Sequence, residues 1–204
     1  MRIPTVTEDQ RQHAADERRA RILEGAFKVF LAYGFARTTM DDIARAAEIS
    51  RPALYLAFRN KTDIYRALAA RFLEDALERT ALVLADETPL AERLERMCGD
   101  VFFCMMQEIE NTPHGNDLLD MKNSLAGDII AEWRQRLDAT LATAIEAEAR
   151  ARGVDLEARG LSADMLASML FDAIDGMKQR ISDPQAHLAG ARRLLKLIDV
   201  VLRP

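Results

Sequence analysis

The chain has 204 residues, 49% hydrophobic, 6% aromatic and 30% charged, with a formal net charge of -5. That much apolar content buries a substantial core, which excludes a disordered or low-complexity chain. Charged residues break every apolar run well short of the ~18 residues of a membrane span, and residues 1–21 are too charged for a signal peptide, so a cytoplasmic protein with no membrane partner is expected.

The charge is unevenly spread. Residues 1–59 carry 10 Lys+Arg against 8 Asp+Glu, whereas residues 60–204 carry 18 against 25. The first third can therefore approach a phosphate backbone that the remainder repels. Cys98 and Cys104, if they share a helix, are separated by a rise of about 9 Å, too far for an intrachain disulfide, which fits a reducing compartment. His13, His114 and His187 have no ligand spacing, so neither a metal nor another cofactor is expected.

In chain order, residues 1–15 read as a flexible arm, polar and without a sustained apolar period. Ile22, Leu23, Ala26, Phe27 and Phe30 recur at helical spacing, predicting a helix over about 16–33 that ends at Gly34 in a left-handed conformation. Thr39 and Asp42 approximate a capping box and open a short helix ending near Ala46. Ser50 caps a third helix over about 51–58, where Pro52 in the first turn costs little. Asn60 starts a long fourth helix through Ile64, Tyr65, Leu68 and Phe72 to the low eighties. Thr88-Pro89 begins another, running to about Glu110 before Asn111-Thr112-Pro113-His114-Gly115 breaks it. A short helix is predicted at 116–122 and a long one at 125–151 up to Gly153; two more run from Ser162 to about Ile181 and from Asp183-Pro184 through Leu202. No segment alternates as a strand does, so the fold class is all-α, about nine helices.

The second and third helices meet across a turn of three or four residues. Small Ala44 stands where they cross, and Ile43, Ile49 and Leu54 are placed to pin the angle. That is a helix-turn-helix, whose second helix lies in a DNA major groove and reads base edges. The same stretch resembles the TetR family of transcriptional repressors, on Thr38, Thr39, Ile43, Ala44, Ser50, Leu54, Tyr55, Phe58 and Lys61. Two positions depart from the family pattern. Glu48 stands where the turn usually has glycine, at a cost of roughly 1 kcal/mol if left-handed, and Ala57 stands where an aromatic residue or histidine is common.

The resemblance implies a homodimer that binds double-stranded DNA at a palindromic operator and responds to a small-molecule effector. The domains expected are a helix-turn-helix domain over 16–60 and an effector-binding and dimerisation domain over 61–204. The DNA-contacting set expected is Thr38, Thr39, Ser50, Arg51, Pro52, Ala53, Tyr55 and Lys61. Thr39 is either a plain cap or a phosphate contact as well. Arg51 fits guanine O6/N7 as a base reader, or is a solvated charge. Tyr55 is expected to pack its ring inward while its hydroxyl reaches phosphate, and Lys61 resembles the family's phosphate-contacting lysine. Arg18, Arg19 and Arg21 form a cluster that either reaches DNA or faces water.

Residues 94–106 end in a stretch apolar around nearly its whole circumference. Met97, Phe102, Phe103, Met105, Met106 and the more distant Trp133 are read either as an effector pocket or as an ordinary central helix. The last two helices carry more apolar surface than one neighbour requires, and family analogy assigns them to the dimer contact. A helical enzyme finds no paired acid and base or activated nucleophile in the sequence, so no catalytic residue is named. A protein-interaction module without specific DNA binding stays open as the alternative, since the N-terminal charge is modest and the turn carries Glu48.

Overall fold

A computed structural model describes residues 8–120, 122–178, 180–181 and 183–204. Among the described residues ten α-helices follow one another: α1 (Glu8–Tyr33), α2 (Met40–Ala46), α3 (Arg51–Ala57), α4 (Lys61–Leu84), α5 (Leu90–Arg96), α6 (Cys104–Glu110), α7 (Gly115–Asp120), α8 (Lys122–Ala151), α9 (Ala163–Lys178) and α10 (Pro184–Val201). A π-helical segment, Met97–Phe103, joins α5 to α6 without a break, so the rod from Leu90 to Glu110 matches the single helix expected there. No strand occurs among the described residues.

Two elements depart from the sequence expectation. Helix α1 begins at Glu8, not near residue 16, so residues 8–15 of the expected arm are helical, and residues 1–7 lie outside the described residues. An apolar period is no guide to these turns because nearly all their side chains face water. They hold through helix-favouring residues, Glu8 and Asp9 at the positive end of the dipole, and i,i+4 pairs such as Gln12–Asp16 (3.0 Å). The second departure is the π-helical segment, whose wider turns shift the register of everything after Met97.

The chain packs as two compact units. The first comprises the described residues up to Arg71 together with those of Ile109–Ile129, and the second comprises Phe72–Glu108 and the described residues of Ile130–Pro204. The first unit closes around fully buried Ile22, Phe30, Ile43, Leu54 and Ile64, with the Phe35 ring against Phe30 (5.2 Å) and Tyr65 (5.7 Å). It extends beyond the expected boundary at residue 60 because α4 and α7 complete its core. Tyr65 donates its hydroxyl hydrogen to the Leu118 carbonyl (2.9 Å), and the His114 N–H donates to the Leu31 carbonyl (3.2 Å). The Arg66 guanidinium forks onto the Asp128 carboxylate (2.8 and 2.6 Å), near the point where α8 kinks at Ala126. The second unit closes around Leu94, Met97, Leu137, Leu141, Ile145 and Leu202, with a smaller cluster at Ala76, Val101 and Met105. Cys98 is buried, its thiol pushed up to about 12 by desolvation, and Cys104 is exposed; both are free thiols.

Candidate nucleic-acid interface

Thr39 starts α2 with a complete capping box. The Asp42 N–H donates to the Thr39 hydroxyl oxygen (3.2 Å), while the Asp42 carboxylate accepts from the Thr39 hydroxyl (2.6 Å) and amide (3.0 Å). Those bonds favour the ionised carboxylate and hold Asp42 below its ordinary range. The turn after α2 passes through Glu48 at a φ of 54°, the one positive value at a non-glycine residue among those described. The expected backbone cost is therefore present. Ile49 N–H then returns to the Ala44 carbonyl (3.0 Å), and Ser50 caps α3 by accepting from the Ala53 N–H (3.3 Å). Fully buried Leu54 and nearly buried Phe58 fix α3 against the core, and Phe58 turns extended to end it.

Two expected DNA contacts turn inward. Thr38 is only 2% exposed and donates its hydroxyl hydrogen to the Gly34 carbonyl (2.8 Å), which leaves it no reach toward phosphate. The Lys61 ammonium donates to three carbonyls of the α1–α2 connection, those of Phe35 (2.8 Å), Ala36 (3.1 Å) and Thr38 (3.1 Å). An ammonium has three N–H donors, so the side chain is fully spent as a clamp on that loop, with the Phe35 ring 4.7 Å beneath the charge.

Of the other expected residues, Ser50, Arg51, Pro52 and Tyr55 are exposed and Ala53 is half-buried on α3 and its cap, while Thr39 is exposed at the start of α2. Arg51 pairs with Asp41 of α2 at 3.1 Å and lies 5.6 Å from the Tyr55 ring centre. The inward packing expected of the Tyr55 ring is corrected: the residue is 43% exposed, because Leu54 and Phe58 already fill the inner face of this short helix. Leu56, which the sequence reading passed over, is 86% exposed. Its signal was available, since an apolar residue two places after Leu54 on a helix points away from Leu54's core face. Arg19 of the α1 arginine cluster stacks over the Phe58 ring at 4.4 Å, a packing role, while Arg18 and Arg21 are exposed.

In the second unit, Met97 is buried in the main cluster, Met105 in the smaller one, and Met106 packs against the latter. Phe102 touches both clusters and Phe103 neither. Phe102, Trp133 and Phe171 stand edge to face around one another at centroid distances of 6.0, 6.2 and 5.6 Å. Phe171 escaped the sequence reading because α9 was credited wholly to the dimer contact. The indole N–H of Trp133 is buried without an acceptor. A shallow recess lined by Leu90, Leu94, Leu195 and Ile198, away from these residues, has no room for even a water molecule and so offers no preformed ligand cavity. Among the described residues no three His, Cys, Asp or Glu side chains gather as a metal site, and no helix is long and apolar enough to cross a membrane.

A short helix sealed on its inner face, carrying Arg51, Tyr55 and Leu56 outward and set by a capped turn against a second helix, defines a helix-turn-helix DNA-binding protein. Residues 22–68 match the family described as bacterial regulatory proteins, tetR family. The chain is 32% identical over 173 residues to the HTH-type transcriptional regulator TtgR of Pseudomonas putida, covering 81% of this chain and 80% of TtgR. It is 27% identical over 208 residues to the HTH-type transcriptional repressor Rv1474c of Mycobacterium tuberculosis, covering 98% and 96%. The fold is shared with SmeT, the repressor of the Stenotrophomonas maltophilia multidrug efflux pump SmeDEF, at a TM-score of 0.65 and 19% identity over 89% of this chain and 88% of SmeT. The chain belongs to the TetR family of transcriptional regulators.

Proposed function

We propose that this regulator is a cytoplasmic homodimeric repressor that holds a palindromic operator and releases it when an apolar small molecule enters the second unit. The observation that carries the DNA half is the outer face of α3, where Arg51, Pro52, Tyr55 and Leu56 are exposed side by side while Leu54 is fully buried beneath them. Thr39 and Ser50, exposed at the two helix starts, complete the contact set. Repression draws on Rv1474c and SmeT, both described as repressors. The dimer reading rests on apolar side chains left in water on the last two helices, Met165 and Met169 on α9 and Leu197 and Val200 on α10, which are 37%, 59%, 60% and 53% exposed. A two-fold pair sets two α3 helices about 34–36 Å apart or farther on a longer operator.

The effector surface is assigned to Met97, Phe102, Phe103, Met105, Met106 and Trp133, to which Phe171 is added. Methionine and aromatic side chains repack around apolar guests, and the unpaired Trp133 N–H offers one hydrogen bond to a guest with an acceptor. Ligand binding that favours a dimer unable to span the operator weakens DNA binding by linkage. The activity proposed is binding rather than turnover, since the buried Arg93 and Glu148 of the second unit pair with each other (2.9 Å) and Glu148 also with Arg152 (2.7 Å).

The experiment is selection of duplex DNA from a random pool by the purified protein, followed by titration at two salt concentrations. A palindrome bound in a salt-sensitive way is expected. Arg51→Ala is expected to weaken that binding by about 1–3 kcal/mol with thermal stability unchanged. Recovery of no sequence above background would overturn operator recognition and favour a protein-interaction module.

A further inference from the structure

We infer that Leu56 is a specificity-determining residue that selects thymine at one position of each half-site by packing on its C5-methyl group. The inference rests on the DNA-binding role of α3. Leu56 is 86% exposed, on a seven-residue helix that buries Leu54 completely and is closed by Phe58 at 4% exposure. The core of the first unit therefore gains nothing from an apolar residue at position 56. On the helix surface Leu56 follows exposed Pro52 by one turn, the two forming a short apolar row beside Tyr55 and Arg51. The row is continuous with the face that meets DNA.

The chemistry of the groove selects the occupant. In the major groove guanine, adenine and cytosine present hydrogen-bond donors and acceptors, and thymine alone adds a methyl group. A leucine side chain has no polar atom, so against any other base it strips water from a polar edge and returns no hydrogen bond. Against thymine it buries methyl on methyl. Arg51 and Leu56 thus divide the reading on one helix: the guanidinium takes a guanine edge and the leucine takes a thymine methyl nearby. The Asp41 carboxylate already orients Arg51 at 3.1 Å, whereas Leu56 needs no partner within the protein.

The test removes the same contact from each side. The operator selected by the wild-type full chain is resynthesised with each thymine replaced singly by deoxyuridine, which deletes the methyl and leaves base pairing intact. Wild-type protein is expected to lose affinity roughly four-fold at one thymine per half-site, the value of one buried methyl group. Leu56→Ala is expected to bind the parent operator more weakly by at least that factor and to ignore the deoxyuridine at that thymine. Leu56→Gln, put through a fresh selection, is expected to exchange thymine for another base at the same position only. Thermal melting of both variants is expected to match the wild type because the position is exposed. The inference is overturned if Leu56→Ala binds the parent operator with wild-type affinity, or if its loss and that of the deoxyuridine operator simply multiply. A wild-type chain that selects no operator overturns the DNA reading itself, a different failure from a selected operator indifferent to Leu56.

Discussion

The backbone of Gly25 in α1 lies directly against that of Ala47 at the end of α2: a Cβ built on Gly25 comes 2.8 Å from the Ala47 amide nitrogen and 2.9 Å from the Ala46 carbonyl carbon. Both contacts are to backbone, which cannot swing aside as a side chain does. Gly25→Ala is therefore expected to push α2 outward and destabilise the first unit by about 1–3 kcal/mol, read by urea unfolding. Gly127→Ala, where nothing lies within 4 Å, is the control and is expected to be neutral or slightly stabilising. Equal stability of the Gly25 variant would mean that the crossing has slack that the close approach denies.

Glu48 is the opposite case, a side chain at a φ of 54°, where glycine is at ease. Glu48→Gly is expected to relieve the strain of the turn and raise stability by about 1 kcal/mol. The same change removes a negative charge beside the DNA-facing surface, so non-specific binding is expected to tighten as well. Glu48→Gln keeps the strain and removes only the charge. If the two variants melt together, the conformational cost assigned to the turn is absent.

Lys61 separates a clamp from a phosphate contact. Its three bonds to Phe35, Ala36 and Thr38 predict that Lys61→Met costs about 2 kcal/mol of stability, since three carbonyls lose a charged donor. The slope of log affinity against log salt is expected to stay at the wild-type value. A slope reduced by about one, with stability intact, would restore the lysine to the phosphate-contacting set.

The sequence reveals what depends on local rules and hides what depends on chains meeting. The Thr39 box, the Ser50 cap and the left-handed Gly34 are each settled within a few residues, and each stands as expected. The Lys61 clamp was hidden because its acceptors lie 23 to 26 residues away, on a loop whose path no pattern in the sequence specifies. Gly25 gave no signal for the same reason: an interior helical glycine reads as a weakness until the second backbone is seen against it. Tyr55 failed differently. An aromatic residue beside a buried leucine suggests core, yet seven residues of helix have room for only one inner row, which Leu54 and Phe58 take. The stretch proposed for the effector surface was legible as apolar, but the π-helical register from Met97 to Phe103 and the Phe102–Trp133–Phe171 contacts come from tertiary packing.

The Arg66–Asp128 fork gives the first unit a pH signature. The guanidinium donates to both carboxylate oxygens and lowers Asp128 to about 2 from the ordinary 3.8. A carboxylate with a lowered native value stabilises the fold at full strength above the unfolded value, and that contribution is lost as the pH falls through the native one. Arg66→Gln removes the cause, so the stability difference between wild type and variant is expected to be constant above about pH 5 and to shrink between 3.8 and about 2. Asp128 is well exposed to solvent, so added salt is expected to reduce the difference at neutral pH. Lowered carboxylates elsewhere, such as Asp42 and Asp199, titrate alike in both proteins and cancel from the comparison. Chemical denaturation of the two proteins at a series of pH values reads it directly. A difference that keeps the same size down to pH 2 would mean that Arg66 holds α8 through its bond to the Leu125 carbonyl (2.8 Å) and not through the charge of Asp128.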